Sequence, residues 1–564
     1  MMKTRLLLVA LILVGVLAAM AAPAQSNWPR KKLIETGWDQ PTTATFRKNI
    51  AEMEKQPFDG VVIGAVGQDD EKKNLSLRPV FTERPWKAEW FQSAVDDLKA
   101  TKSSKLTDNF VVIGNNPATV DWFDDEAMKA VIEHWRIAAW IAKQGGLKGI
   151  WFDPEPYTEG HNSFGYDLQP QRDKHTFEEY NAKVRQRGRE IMQAIAGEYP
   201  DCTMFCYWLE SINATAAGVD DPMSVLSGGS QGLLPAFING WLDVIPPQMT
   251  LVDGVESAYL YNSPMQFMQS AVLVKGDAQS LVAPENRAKY RAQIQVSFGI
   301  YLDAYVNPPT SNYYIDGLGG PRVDRLRKNV TDGLRYADQY VWIYGEKHTW
   351  WPTERKDINT TWESALPGTD SALRFASDPD GYARLRVQQL QAEGKLVELF
   401  RNGDFGSDKA LNAAGQEVTW KSGAPAGWST WQAAEGGTFA WDKTVGNAAP
   451  GSARASKVGM GCFIQEIMPV KPGERYFVSG TYKLQGQGHA NIRVRWQTTE
   501  GKWIHDQLDK MIFGKGKTGE WVPLSGVAEV PEGVGKMVIL LGMGGEFTDQ
   551  DVAWYDDVHC YRLD

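Results

Sequence analysis

The stretch LKGIWFDPE, residues 147–155, decides how the first half of the chain is read. An apolar run of strand length ends in two carboxylates, Asp153 and Glu155, and each is followed by a proline. Alternate residues of a strand share a face, so Trp151, Asp153 and Glu155 point the same way. Pro154 and Pro156 restrict the backbone that carries the two acids. A strand whose tip presents fixed carboxylates belongs at the rim of a sheet where chemistry is done.

Other runs repeat the arrangement. They are LIETGWD (33–39), FDGVVIGA (58–65), NFVVIGNN (109–116), CTMFCYWLE (202–210), ESAYLY (256–261), FGIYLDAYV (298–306) and YVWIYGEKH (340–348). Helical patterns lie between them. DDEAMKAVIEHWRIAAWIAKQGG carries apolar residues at helical spacing and a glycine stop. TFEEYNAKVRQRGREIMQAIAGEYP opens on Thr176 as an N-cap, with Glu179 three residues on. Eight strand–helix units predict an α/β fold, a (β/α)8 barrel over residues 30–352.

The runs begin apolar and end polar or aromatic, and in such a barrel those ends share one mouth. Strand one ends in Trp38 and Asp39, strand five in Trp208 and Glu210. Strand seven carries Tyr301, Asp303 and Tyr305, and strand eight Tyr344, Glu346, His348 and Trp350. Strands four and eight stand opposite each other, which pairs Glu155 with Glu346; Asp303 and Glu210 are alternative partners. Asp153 lies close enough to Glu155 to raise its pKa by like-charge repulsion. Tyr157 is placed to hydrogen-bond Glu155.

The chain holds 22 Trp, 20 Tyr and 21 Phe, many of them at these strand ends. Indole and phenol rings stack on the C–H faces of sugars. Trp38, Trp151, Trp208, Tyr259 and Trp350 are expected platforms, with Asp39, Tyr157, His161, Tyr301 and His348 as further binding residues.

Net charge is −10 with no basic block, which argues against nucleic acid and against anionic lipid. The start reads MMKTR, then LLLVALILVGVLAAM, then APAQS. This predicts a signal peptide over residues 1–24, cleaved after Ala24, and a secreted or periplasmic chain. No later segment is apolar enough to span a membrane. Cys202 and Cys206 fall in one strand and do not suit each other; Cys462 and Cys560 fall in separate strands and could pair. Metal-hydrolase spacings such as His-Glu-x-x-His are missing.

After Trp351 the periodicity breaks. Residues 353–395 read as a polar connecting segment. From about Leu396 the texture is short alternating runs with Gly and Pro, among them GCFIQEIMPV, RYFVSGTYKL, GKMVILLGM and VAWYDDVHCYRL. This predicts an all-β sandwich over 396–564.

NGDF (402–405), GWSTW (427–431), VKPGERY (470–476) and WYDDV (554–558) carry a resemblance. Together they resemble the jelly-roll, galactose-binding-like carbohydrate-binding modules of bacterial polysaccharide-degrading enzymes. That resemblance implies a structural calcium ion between the first segment and the last strand, with Asp404 and Asp557 nearest to it. The barrel is similar, by architecture, to secreted bacterial TIM-barrel glycoside hydrolases. The Asn-Glu pair that ends strand four in their largest retaining clan is replaced here by Asp153-Pro154-Glu155.

These readings converge on hydrolysis of O-glycosidic bonds in a polysaccharide or oligosaccharide, without a catalytic cofactor. Glu155 is the expected general acid/base and Glu346 the nucleophile or base. A second scheme has Asp153 orient an acetamido group while Glu155 acts as acid. Two other functions stay open: a non-catalytic carbohydrate-binding barrel, and a polysaccharide lyase. A lyase needs cations at the mouth to neutralise a uronate, and Lys347 is the only clear one at the strand ends.

Overall fold

A computed structural model describes residues 30–564 apart from 354, 356, 408, 412–416, 420–423 and 547. The leader expected over 1–24 lies outside these residues. The chain divides into two compact units, the first running to Ser377 and the second covering Asp378–Asp564.

The first unit is built on parallel strands β1 (Lys32–Gly37), β2 (Gly60–Ile63), β3 (Phe110–Pro117), β4 (Gly149–Asp153), β5 (Thr203–Cys206), β6 (Thr250–Asp253), β7 (Ile294–Val296), β8 (Phe298–Tyr301) and β9 (Tyr340–Gly345). They hydrogen-bond in the order β7-β6-β5-β4-β3-β2-β1-β9-β8. β7 and β8 are two halves of one run, separated by Ser297 alone. Ser297 N donates to Asp253 O at 2.8 Å, on the β6 side. Its Oγ donates to Tyr340 O at 2.8 Å, on the β9 side. The run changes partners at this residue, and the barrel closes through it.

β4 is buried along its whole length, as expected for a parallel strand covered on both faces. Aromatic side chains fill the barrel. Trp151 stacks on Phe205 at 4.0 Å between ring centroids and meets Trp342 edge-on at 5.6 Å. Trp151 therefore faces the side the sequence indicates, but it sits too deep to serve as a sugar platform. Outside the sheet, the helix Phe177–Glu198 starts with the expected capping box, in which Thr176 and Glu179 satisfy each other's backbone N–H groups.

The run ESAYLY is not a strand. The sixth strand is Thr250–Asp253, and Glu256–Leu260 forms a 3-10 turn after it. Likewise Leu302–Tyr305 turns away after β8. In both places the chain leaves the sheet just past the mouth; Leu302–Tyr305 is buried throughout, whereas only Ala258 is buried in Glu256–Leu260. The segment 353–395 is largely helical. Trp362–Ala365 and Thr369–Ser377 belong to the first unit and Pro379–Ala392 to the second.

The second unit contains two antiparallel sheets of five strands each. One holds Ser429–Gln432, Met460–Ile467, Lys536–Gly544, His489–Gln497 and Lys510–Ile512. The other holds Thr438–Asp442, Ser452–Ser456, Val552–Arg562, Arg475–Gln485 and Trp521–Glu529. Phe463, Trp496, Ile539 and Leu541 meet Val478, Tyr555 and Val558 in one apolar core. All four cysteines are free thiols. Cys462 and Cys560 do not pair: Cys462 alternates with the core residue Phe463 and so faces away from the core that holds Cys560. No helix among the described residues is long and apolar enough to cross a membrane.

Candidate active site

The strand ends of the barrel surround an open cleft of about 1090 Å³. Three carboxylates line it: Glu155 after β4, Glu256 after β6 and Glu346 after β9. Arg78, from the loop after β2, is the one basic side chain among the lining residues. Aromatic rings supply much of the rest, with Trp38 and Trp208 joined by tyrosines from five strand ends.

Behind the glutamates lies a second set of acids, each fully buried: Asp153, Asp253 and Asp303. Each one grips backbone. Asp153 Oδ1 accepts from Glu155 N at 3.0 Å, and Asp303 Oδ2 accepts from Glu346 N at 2.8 Å. Asp253 accepts from Val255 N at 3.2 Å, and from Ser211 N at 2.9 Å and Ser211 Oγ at 2.5 Å. A carboxylate that accepts backbone N–H groups fixes its loop far more tightly than turn geometry alone. Burial pushes Asp153 up to about 6, against the pull of Arg78, whose Nη2 donates to Asp153 Oδ2 at 2.6 Å. Burial also pushes Asp303 up to about 6, opposed by the Glu346 backbone N–H.

The glutamates differ among themselves. Glu155 Oε2 accepts from the Tyr157 hydroxyl at 2.7 Å. Glu346 Oε1 accepts from the Tyr344 hydroxyl at 3.1 Å, and Tyr344 in turn accepts from Trp38 Nε1 at 3.1 Å. Glu256 is pushed up to about 8, first by burial, then by the charges of Glu155 and Asp153. Beside it lies the buried Tyr259 hydroxyl, whose interaction with the Glu256 carboxyl opposes that rise. Burial and then the Glu256 charge hold that hydroxyl protonated.

The cleft gathers Trp38, Glu155, Tyr157, Trp208, Tyr259, Tyr301 and Glu346 from the residues expected at the site. The others do not line it. Trp350 is buried and packs edge-on against Phe58 at 4.9 Å. Asp39 is buried too, accepting from Thr349 Oγ1 at 2.9 Å and Trp350 N at 2.8 Å. Glu210 is wholly enclosed with both carboxyl oxygens unpartnered, and burial raises its pKa well above the usual range. His161 stands exposed in the loop after β4. His348 turns to Thr360, with Nδ1 2.6 Å from its Oγ1.

Sequence reasoning missed Glu256 and Arg78. The signal for Glu256 was present: VDGVE (252–256) repeats the pattern of FDPE (152–155), an apolar residue, an aspartate and then a glutamate past a turn residue. One other motif fits by spacing alone. GGSQG (228–232) matches a nucleophile elbow, but Ser230 lies in a turn between the helices Pro222–Leu226 and Leu234–Val244 rather than after a strand.

In the second unit, Asp557 accepts from the Asn447 side chain at 2.7 Å, and Asp404 from Gly406 N at 3.3 Å. Among the described residues no three His, Cys, Asp or Glu side chains are grouped to hold a metal ion. The calcium site expected at Asp404 and Asp557 therefore has no gathered acidic ligand set.

No protein-family model matches the chain, and no curated protein matches it. Solved structures match parts of it. The enzymatically active domain of bacteriophage CBA120 tailspike protein 4 shares 16% identity over 29% of this chain and 21% of that chain, with a TM-score of 0.22. The CBM22-1 and GH10 modules of Clostridium thermocellum endo-1,4-β-D-xylanase 10B share 15% identity over 24% of this chain and 26% of that chain, with a TM-score of 0.20. The CBM22-1 xylan-binding domain of Paenibacillus barcinonensis Xyn10C shares 13% identity over 30% of this chain and 96% of that chain, with a TM-score of 0.21. The chain thus spans about a quarter or less of the length of the first two. At this level of similarity, function has to be argued from the cleft itself.

Proposed function

We propose that the barrel hydrolyses O-glycosidic bonds of an oligosaccharide or polysaccharide, using Glu155 and Glu256 as its two carboxyl groups. One observation carries this reading: the two face the same open cleft, and the charge of Glu155 helps keep a proton on Glu256 up to about pH 8. An acid that keeps its proton, facing a second carboxyl group, is what glycosidic hydrolysis requires.

In this scheme Glu256 donates its proton to the leaving oxygen as the C–O bond breaks. Glu155, steered by Tyr157, attacks the anomeric carbon or takes a proton from the attacking water. Asp153 and Asp253 hold the two loops in register. Trp38 and Trp208 offer ring faces to the sugar. Arg78 brings a cation to the mouth, but Asp153 already neutralises it, which disfavours a lyase that must neutralise a uronate. On its sequence motifs, the second unit is read as a carbohydrate-binding sandwich. Half-exposed Trp431 and Trp503 are the side chains it offers for stacking. The leader supports export.

A polysaccharide panel with products followed by NMR tests this reading. Release of reducing ends by the native protein, and its loss in both Glu155→Gln and Glu256→Gln, is the expected result. Equal release by the native protein and either variant rejects the assignment.

A further inference from the structure

Two-carboxylate chemistry leaves one glutamate of the cleft unused. Glu346 stands among tyrosines, while the charges that act on Glu256 are those of Glu155 and Asp153. We propose that Glu346 and its surrounding tyrosines form a subsite for a positively charged substituent, so that the substrate is an amine-bearing glycan of the glucosamine type. This rests on the hydrolase reading above and names its substrate class.

Charge is the first argument. The cleft lining holds Glu155, Glu256 and Glu346 against Arg78 alone. The Arg78 guanidinium is committed to Asp153 at 2.6 Å. Nearby Lys347 turns its ammonium to Asn307 and does not line the cleft. With Glu256 carrying its proton, the unbalanced charge of the mouth sits on Glu155 and Glu346. A uronate would meet repulsion from both; a neutral sugar would gain hydroxyl hydrogen bonds from Glu346, and a cationic one would add direct Coulomb attraction.

Ring geometry is the second argument. The Tyr259, Tyr301 and Tyr344 rings pack against one another with centroids 5.0, 5.5 and 5.6 Å apart. Tyr313 meets Tyr301 edge-on at 5.2 Å. Tyrosine faces carry negative potential and attract ammonium groups, and a carboxylate at the edge of such a cluster adds direct Coulomb attraction. The rim already holds a cation in this way: the Arg355 guanidinium lies 4.8 Å from the Trp38 ring centroid. That arginine is paired with Asp357, and Trp38 bonds to Tyr344, which bonds to Glu346. The Glu346 backbone is clamped by Asp303, so the carboxylate is held in place before any ligand arrives.

The test is calorimetric binding to the full chain carrying Glu155→Gln, which suppresses turnover. The ligands are a glucosamine hexamer, its fully N-acetylated counterpart and a galacturonate hexamer, at about pH 5.5, where the amines are charged. At about 50 mM salt the amine hexamer is expected to bind at least roughly tenfold more tightly than the acetylated one, with the galacturonate weakest. About 500 mM salt should erase most of that preference. Adding Glu346→Gln should bring the amine hexamer down to the acetylated level. Tyr344→Phe, which keeps the ring and removes its bond to Glu346, should give a smaller loss in the same direction.

Equal binding of the amine and acetylated hexamers overturns the subsite, as does an equal weakening of both by Glu346→Gln. Product release by the native protein separates the two claims. Amine preference without hydrolysis of any glycan rejects the hydrolase reading and keeps the subsite. Hydrolysis of neutral glycans without charge preference does the reverse.

Discussion

The mouth of the barrel holds two tiers of acids with opposite fates. Asp153, Asp253 and Asp303 end or closely follow their strands and are fully buried. Glu155, Glu256 and Glu346 come from the loops above and line the cleft. The same carboxyl group serves as a clamp in one tier and as a reagent in the other. Depth makes the difference. Each buried aspartate turns at least one oxygen to a backbone N–H group, because a buried polar group left unpaired costs free energy. A cleft glutamate accepts one hydroxyl at most and keeps lone pairs for a ligand. The lower tier keeps the upper tier positioned.

Substitutions should separate the tiers. Glu155→Gln and Glu256→Gln should each lower kcat by about 10³-fold or more, without a fall in thermal stability. A large fall in melting temperature in either variant would place that residue in the clamping tier. The pH dependence of folding gives the next largest effect. Glu256 sits near 8 in the fold against an ordinary 4.5, so the native state holds a proton that the unfolded chain has released. Its contribution to stability is full below about pH 4.5 and is lost as pH climbs towards 8, on the order of 5 kcal/mol in all. Denaturation curves of Glu256→Gln should lack this decline. The native kcat/KM should fall above about pH 8 as the acid loses its proton.

Asp253→Asn should cost about 1–3 kcal/mol in urea unfolding, because Ser211 and Val255 lose a charged acceptor. Its kcat should fall much less than in the glutamate variants. An Asp253→Asn protein with native stability and no turnover would erase the distinction between the tiers. The smallest effect is expected for Tyr157→Phe. Removing one hydroxyl from a half-exposed side chain should reduce kcat/KM by less than about tenfold, read out by steady-state kinetics on the best glycan.

How much of this the sequence revealed depended on strand length. β4 was legible because its five buried residues end on Asp153, with Glu155 two positions on, so alternation carries to the tip. β6 is only four residues long and follows Pro246-Pro247 closely. The apolar alternation of ESAYLY looked more strand-like, which shifted the sixth strand into the turn beyond it and hid Glu256. Facing could be read from alternation but depth could not. Trp151 and Trp208 share the strand-end pattern, yet one fills the barrel and the other reaches the cleft. Arg78 was invisible for another reason: it arrives through a loop after β2 whose ion pair spans 75 residues of sequence.

The single-residue handover at Ser297 gives the barrel a seam. On one side β7 is fastened to β6 by three residue pairs; on the other, β8 is fastened to β9 by four. At the top of the seam the Tyr259 ring, reaching over from beyond β6, lies stacked on Tyr301 of β8 and acts as the fastener. Opening at this seam would part Tyr259, on the lip that carries Glu256, from Tyr301 and Tyr344 on the other lip, and would widen the cleft between them.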